Sequence, residues 1–477
     1  MVKKLLFYSL LVLVSAVLAG CILSGKVTTS SGESLEGVSM VLNGNANLSG
    51  AIDLTTSTGS SGEYEFEVPD EFGSYTITPS LYNFKFNPES WSGESNAGNT
   101  AQKAEGIDFT ATKQYRIWED GNETGHSVQQ TTDGGYIIAG ETTRGTGYWS
   151  ALLIKTDAAG NEEWNKTFGW EDESFTMVYS VQQTTDGGFI LAGNTHLYGD
   201  PSDLLVIKTD AAGNEEWHMT YGEWRDYDGA YSIQQTTDGG YIVAGYTVPY
   251  QERNDVLLLK IGATGNYEWK RTFGGFGYDR AYSVQQTADG GYIVAGGTES
   301  FSVLKDFWVI KTGPTGNEEW NKTYGGNGHD EARSIQQTTD GGYIIAGMTR
   351  SYGEVSDTDF WVIKTDAAGN EEWDKVFGGS NFDNAYSVQQ TTDGGYIVAG
   401  ATDSYDTGNH DAWLIKTDTA GNEEWQKVFG DSTSYDKAYS VQQTTDGGYI
   451  MTGATKLTIN HVWLVKTDAD GNHIPFP

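Results

Sequence analysis

Positive charge, cysteine and long apolar runs are all scarce in this chain, and each scarcity excludes something. Of 477 residues, 29 are Lys or Arg against 65 Asp or Glu, a net charge of −36. Such a polyanion repels nucleic acid and anionic lipid head groups, so no nucleic acid is expected as a partner. A single cysteine, Cys21, rules out an intramolecular disulfide. The histidines His126, His196, His218, His329, His410, His461 and His473 never fall at metal-ligand spacing, and neither HxH nor HExxH occurs. GxSxG is also absent, so no Ser-His-Asp set can be assembled from sequence. Nothing after Cys21 is apolar enough to span a bilayer. What the chain has in abundance is glycine, 62 residues, and aromatics, 13%. That composition suits many short strands joined by tight turns.

The dominant feature is a segment reading VQQTTDGGYIVAG, repeated seven times with little drift. Copies start at Val128, Val181, Ile233, Val284, Ile335, Val388 and Val441. The turn Asp falls at Asp133, Asp186, Asp238, Asp289, Asp340, Asp393 and Asp446, a period of 51 to 53 residues. Each copy reads as four strands: SVQQT (A), YIVAG (B), DFWVIKT or a near variant (C) and EEWNKTFGG (D). The Asp-Gly and Gly-Asn turns between A and B and between C and D are hairpin signals. Strands B and C are apolar on both faces, so neighbouring sheets must cover both sides. The seventh copy stops after LVKTDADGN, before any EEW strand, while Gln114-Tyr115-Arg116-Ile117-Trp118 precedes the first copy with no A, B or C of its own. The front strand is therefore expected to complete the last sheet. The predicted fold is all-β: a seven-bladed β-propeller of four-stranded blades over 114–477, preceded by a small β-sandwich.

That sandwich is expected to be antiparallel, over 21–113. Strands there alternate polar and apolar (Tyr64, Phe66, Val68; Tyr75, Ile77) between Gly/Ser turns. The order GxVT, LxGVxVxL, GxYxFxVP, YTITP and a closing DFTA resembles carboxypeptidase-regulatory-like and Cna-B-like modules. The resemblance implies a spacer or stalk. No chemistry is evident in it, and its loop aromatic Trp91 reads as packing. At the front, Lys3 and Lys4 precede the apolar stretch Leu5 to Leu18, as in a secretory signal. Leu18-Ala19-Gly20-Cys21 then resembles a bacterial lipobox. This implies a signal peptide over 1–20, diacylglycerol on the Cys21 sulfur and a mature chain held outside the cytoplasmic membrane. The other reading is an ordinary signal peptide or signal anchor with an incidental Cys21.

The C-to-D segment, TDAAGNEEWNKTFGG, looks like bacterial β-propeller-repeat proteins and is similar to the tryptophan-docking motif of quinoprotein propellers. That resemblance implies that Trp164, Trp217, Trp269, Trp320, Trp373 and Trp425 lock adjacent blades. The turn is one residue shorter than the quinoprotein one and one longer than the sialidase Asp-box, so neither activity carries over.

Most recurrent residues read as scaffold. The TDGG Asp is expected to form its turn. The KTDxxGN Asp (Asp157, Asp210, Asp366, Asp418, Asp468) is replaced by Gly262 and Gly313 in two copies, which argues against a metal at every turn. Two further acidic sets should meet on the face of the D–A and B–C loops: Glu123, Asp228, Asp279, Asp330, Asp383 and Asp436, and Asp203, Asp255, Asp306, Asp359 and Asp411. Loop-tying hydrogen bonds are the plainer role; calcium is the ion such a set would suit. The IKT lysine of every blade is expected as an interblade salt-bridge partner. The paired glutamines of strand A are expected to include one polar, inert ring around the channel.

A specific site should lie where the repeat breaks. Trp149, Trp170, Trp224, Arg225, Tyr227 and Tyr250 interrupt the pattern in D–A and B–C loops of the first three blades, with Glu173 as a polar neighbour. Aromatics on a rigid scaffold offer stacking platforms for sugar rings or peptides. The leading expectation is a lipid-anchored, cell-surface binding or adhesion module without catalysis or cofactor, taking extracellular glycan, peptide or protein. A passive envelope scaffold and a propeller enzyme, quinoprotein or polysaccharide-degrading, are the alternatives. The enzyme would need a cluster of His, Arg and Tyr, or a quinone, around the channel.

Overall fold

The computed structural model describes residues 21–29, 34–46, 50–68, 72–80, 84–88, 90–94, 109–113, 116–118, 121–143, 148–169, 174–197, 201–223, 225–249, 253–353, 357–405, 410–430, 434–456 and 459–475. The expected signal segment 1–20 and the loop 95–106 lie outside these. The chain forms two units, Met1–Gln114 and Tyr115–Pro477.

Among its described residues, the first unit holds two four-stranded sheets. Strands β1 (Cys21–Thr29), β4 (Glu63–Val68), β6 (Phe84–Asn87) and β8 (Phe109–Lys113) run in the order β4-β1-β8-β6. Strands β2 (Ser39–Ala46), β3 (Gly50–Ser57), β5 (Phe72–Ser80) and β7 (Trp91–Glu94) run in the order β3-β2-β5-β7. Leu23, Val27, Met40, Leu42, Tyr64, Phe66 and Ile77 are buried, as alternation predicts. Two details differ from the sequence reading. β1 and β8 pair in parallel, so the unit is mixed rather than antiparallel. Trp91 opens strand β7 opposite Ile77 rather than sitting in a loop.

Among the described residues, the second unit contains seven sheets in chain order. Blade 1 comprises Glu123–Gln130, Tyr136–Thr142, Ser150–Thr156 and Glu162–Phe168, paired antiparallel from the axis outward. Blades 2 to 6 repeat that order. In blade 4 the second and third strands are buried along their whole length, whereas the outermost has exposed and half-buried positions. Clusters of buried residues bridge each blade to the next; Ile242, Val256 and Leu258 of blade 3, for example, pack with Val284, Tyr292 and Trp308 of blade 4.

The outer edge of blade 7 is composite. β9 (Arg116–Trp118) pairs antiparallel with Val462–Leu464 of its third strand. His473–Ile474 pairs with Lys466 and Thr467 of the same strand. The front of the unit thus supplies half the missing strand and the end of the chain supplies the other half. Register shows what each half replaces. Trp118 lies opposite Val462 as Phe168 lies opposite Ala151, and Ile474 takes the place of the docking Trp164 opposite the IKT lysine. The ring then closes: Trp118 Nε1 donates to Glu162 of blade 1 at 2.6 Å, and Trp118, Ile138 and Leu152 share a cluster with Ile450, Val462 and Leu464.

The docking tryptophans work as expected. Trp164 of blade 1 packs on Gly213 in the turn of blade 2, whose φ of +74 and lack of a Cβ both matter; an added Cβ would stand 2.5 Å from the indole. The remaining five tryptophans meet equivalent glycines.

Candidate functional site

The inner strands carry the evident specialisation. In each, the register slips by one residue, a β-bulge, immediately before the SVQQ segment. A bulge leaves one residue out of the ladder and re-aims its side chain. The seven bulged residues are His126, Tyr179, Tyr231, Tyr282, Arg333, Tyr386 and Tyr439, and they meet one another in a ring. Ring centroids are 5.0 Å apart for His126–Tyr179, 5.2 Å for Tyr179–Tyr231 and 4.9 Å for Tyr231–Tyr282. The Arg333 guanidinium lies 4.1 Å from the Tyr282 centroid. Tyr386–Tyr439 at 5.0 Å and His126–Tyr439 at 5.3 Å complete the far side. Centres about 5 Å apart on a seven-membered ring lie roughly 6 Å from the axis.

The ring is uncharged except at defined points. Burial pushes all five tyrosines up, Tyr282 to about 12 with help from the Glu331 carboxylate, so they act as neutral donors. Glu331 is buried and accepts from the Tyr282 hydroxyl at 3.0 Å and from Lys305 at 2.9 Å, and it pairs with Arg333. Burial opposes ionisation of both, but Arg333, Lys305 and the Tyr282 hydroxyl together outweigh it for Glu331, and Glu331 with the neighbouring tyrosines outweighs it for Arg333: the carboxylate is held low and the guanidinium high. His126 Nε2 meets Glu141 Oε2 at 2.7 Å. Arg280 stacks on Tyr246 at 4.8 Å, and Tyr246 meets Tyr231 at 5.7 Å.

Among strand positions, the residues around this ring are the least repetitive. Two positions before the bulge stand Thr124, Met177, Gly229, Arg280, Glu331, Asn384 and Lys437, different in every blade. After the YIVAG segment stand Glu141, Asn194, Tyr246, Gly297, Met348, Ala401 and Ala454. Met177, Arg280, Glu331, Glu141 and Tyr246 all contact the ring or its partners.

Deeper in the channel the chain is uniform again. The first glutamine of each pair lines a channel of about 250 Å³ with the preceding Val or Ile. Its Oε1 accepts the backbone N–H of the second glutamine of the next blade, as Gln129 does from Gln183 at 2.6 Å. The second glutamine's Oε1 accepts from the turn of the preceding blade; Gln130 closes the circle by accepting from Thr445 at 2.9 Å. The first row is the channel-lining ring expected from the sequence, and both rows also tie blades together.

Members of the first acidic set are loop ties. Asp279 accepts from Thr298 Oγ1 at 2.5 Å, Ser300 Oγ at 2.6 Å and the Gly275 N–H at 3.2 Å. Asp330 accepts from the Thr349 hydroxyl, from Ser351 Oγ at 2.5 Å and from the Gly326 N–H at 3.1 Å. Among the described residues, no group of three or more His, Cys, Asp or Glu is arranged to hold a metal ion. The KTDxxGN Asp forms its turn: Asp157 accepts from the Asn161 N–H at 2.8 Å. The IKT lysine corrects another expectation. Lys155 is buried and pairs with Asp133 and Glu163, each at 2.9 Å, both of its own blade rather than a neighbouring one. Partial burial raises Asp133, but the Thr131 hydroxyl, Lys155 and the Gly135 N–H outweigh it and hold the carboxyl at about 2.

Of the six loop residues singled out by sequence, Trp170, Trp224 and Tyr250 lie outside the described residues. Trp149 is half-buried, and its carbonyl accepts from the Thr176 N–H at 2.8 Å. Arg225 is exposed with a φ of +78, the one left-handed non-glycine among the described residues. Tyr227 is exposed. No described contact joins Trp149 to Arg225 or Tyr227. Exposed aromatics are also not confined to blades 1 to 3: Phe276, Tyr278, Phe301, Tyr352, Phe382, Tyr405 and Tyr435 occupy the same class of loops in blades 3 to 7.

No protein-family model and no curated protein sequence matches the chain. Among solved structures, it is similar to the WD40 domain of Pan2 from Neurospora crassa, with 12% identity, a TM-score of 0.45 and coverage of 76% of this chain and 99% of that one. The BP39L lectin from Burkholderia pseudomallei gives 9% identity, a TM-score of 0.49 and coverage of 76% and 99%. The β-propeller domain of the Trilobed protease from Pyrococcus furiosus gives 10%, 0.40, 76% and 98%. The architecture of the present chain rests on its own strand pairing and ring closure. The lipobox and the Cna-B-like resemblance rest on their motifs.

Proposed function

We propose that this chain is a ligand-binding propeller, tethered outside the cytoplasmic membrane by lipid on Cys21, whose recognition site is the channel mouth formed by the bulged residues. The ligand is an extracellular glycan, peptide or protein. One observation carries this reading: among strand positions, the seven blades differ most where their side chains surround the axis. Scaffold roles recur in every blade, so a position that differs in all seven serves something without sevenfold symmetry. Neutral phenols, an aromatic wall and a few fixed charges suit recognition by stacking and directed hydrogen bonds. In this reading Arg225 and Tyr227, both exposed, belong to an outer rim to which the sequence also assigns Trp149, Trp170, Trp224 and Tyr250, and the first unit is the stalk.

The test replaces Arg333 with tyrosine, the residue five other blades carry at the bulge. An array of glycans and peptides identifies ligands of the wild-type chain, and Arg333→Tyr is expected to weaken the best of them at least tenfold. Unchanged affinity would place recognition elsewhere. Metabolic labelling with palmitate tests the anchor: label is expected on wild type and absent from Cys21→Ala.

A catalytic reading draws on the same ring, since His126, Arg333 and five tyrosines around a channel are the cluster an enzyme would need. Raised tyrosine pKa values make these phenols donors rather than bases or nucleophiles, which favours binding. A visible absorption band in the purified protein would support a bound quinone.

A further inference from the structure

A second break in the repeat makes a cavity away from the axis. About 370 Å³ opens at the junction of blades 2 and 3. Its floor is Leu257 and Leu259, both buried, and its rim includes Tyr267, Lys270 and Glu223, all exposed.

Four of these residues depart from the repeat at their own positions. Leu257 stands where blades 4 to 7 carry Trp308, Trp361, Trp413 and Trp463. In three of those blades the indole spans to the outermost strand: Trp308 Nε1 donates to Asn321 at 3.1 Å, Trp361 to Asp374 at 2.9 Å and Trp413 to Gln426 at 2.8 Å. Lys270 occupies the position of those acceptors. Tyr267 replaces the glutamate found there in five blades, and Glu223 replaces a glycine found in three. The missing indole leaves the space. Blades 1 and 2 also carry leucine at this position, but Trp118 packs into the cluster of Leu152, and Phe168 is buried with Leu205. At the blade 2–3 junction the equivalent residue is Tyr221, whose hydroxyl is drawn away to the Gly265 carbonyl.

The lining has two characters. Leu257, Leu259 and the Tyr267 ring form an apolar wall. In the same lining the Glu223 carboxylate and Lys270 ammonium are paired at 2.6 Å, with Asp228, Thr220 and Thr247 also lining the space. The pairing holds the Glu223 carboxyl low and Lys270 high, so both are charged at neutral pH. A pyranose ring has the matching build: an apolar C–H face, and a fringe of hydroxyls that donate to a carboxylate and accept from an ammonium. The volume falls in the lower range of small-molecule sites. We propose that the blade 2–3 cavity is a pyranose-binding subsite, which holds either a free monosaccharide or one residue of a longer glycan. The inference rests on the ligand-binding reading above and adds a ligand class and a second location.

Titration of the full chain with the methyl pyranosides of glucose, galactose, mannose and N-acetylglucosamine, read by saturation-transfer difference NMR and calorimetry, tests it. At least one is expected to bind saturably at one site per chain. Leu257→Trp with Lys270→Asn rebuilds the filling that blade 4 uses, so the variant should fold normally and lose that binding at least tenfold. Lys270→Asn alone, which keeps the cavity but removes the ammonium, should weaken it less. If no pyranoside binds wild type, or the filled variant binds as well, the subsite does not exist as described. Arg333→Tyr should leave pyranoside binding intact, and the filled variant should leave ligands of the channel mouth bound. Failure here is thereby separated from failure of the main reading. A matching oligosaccharide that binds more tightly than its methyl glycoside, and loses that margin in the filled variant, identifies a longer glycan as the source; equal affinities identify a free monosaccharide.

Discussion

Replacing Trp118 with alanine tests the join that closes the ring. Trp118 is 6% exposed, in a strand of three residues, and it touches both blade 7 and blade 1. Removing a buried tryptophan from a packed core costs about 3–5 kcal/mol through lost transfer energy and the void left behind. Its hydrogen bond to Glu162 adds little, because that carboxylate is exposed and rehydrates; about 1 kcal/mol is a fair allowance. The total of about 5 kcal/mol is comparable to the whole stability of many proteins, which runs from about 5 to 15 kcal/mol. Guanidinium unfolding followed by both circular dichroism and tryptophan fluorescence measures it. Fourteen other tryptophans keep the fluorescence signal, since the chain has 15. A matched control is Trp320→Ala, a half-buried docking tryptophan between blades 4 and 5, expected to cost about 2–3 kcal/mol. A loss below about 1 kcal/mol for Trp118→Ala would refute the argument, because β9 would then not be what seals the circle.

Other consequences are equally specific. Deleting residues 473–477 removes the other half of the composite strand, but Ile474 is 41% exposed, so a loss of about 1–2 kcal/mol is expected in the same denaturation assay. Asp340 is held at about 2 in the fold against 3.8 for the free side chain; its contribution is present above pH 3.8 and is lost as pH falls toward 2. Because its side chain is 58% exposed, solvent screening reduces that contribution to about 0.5–1 kcal/mol, so Asp340→Asn should destabilise by that amount at pH 7 and by nothing near pH 2. Tyr282 is pushed up to about 12 from 10.0, so its contribution is complete below pH 10 and is lost as pH rises through 12. Alkaline titration at the phenolate absorption band should show Tyr282→Phe removing a late-titrating group; a loss near pH 10 would contradict its burial.

Most of the propeller was legible because one pattern was written seven times. Asp-Gly turns, strands apolar on both faces and a final copy lacking EEW left little freedom in topology. The composite edge was only half visible. β9 announces itself by Ile117 and Trp118, whereas His473 and Ile474 look like a tail, and only their register against Lys466 and Thr467 reveals a strand. The channel ring was hidden for a physical reason. A β-bulge has no residue signature here, and the tyrosine before SVQQ reads as one more core aromatic until the slipped register turns it toward the axis. Superposing the seven copies would have exposed it, because Arg333 and His126 interrupt a column of tyrosines. Aromatic excess in the loops drew the sequence reading outward instead. The blade 2–3 cavity follows the same logic: Leu257 in a column containing Trp308, Trp361, Trp413 and Trp463 was readable, but whether a neighbour fills the gap depends on Tyr221 and Lys270 across the blade junction.

The channel mouth is tested most directly by hydroxyl-radical footprinting of the chain with its best array ligand bound. Protection is expected at Tyr179, Tyr231, Tyr282, Tyr386 and Tyr439, with no change at the docking tryptophans on the outer strands. Protection confined to those outer strands, or to residues before Gln114, would contradict it.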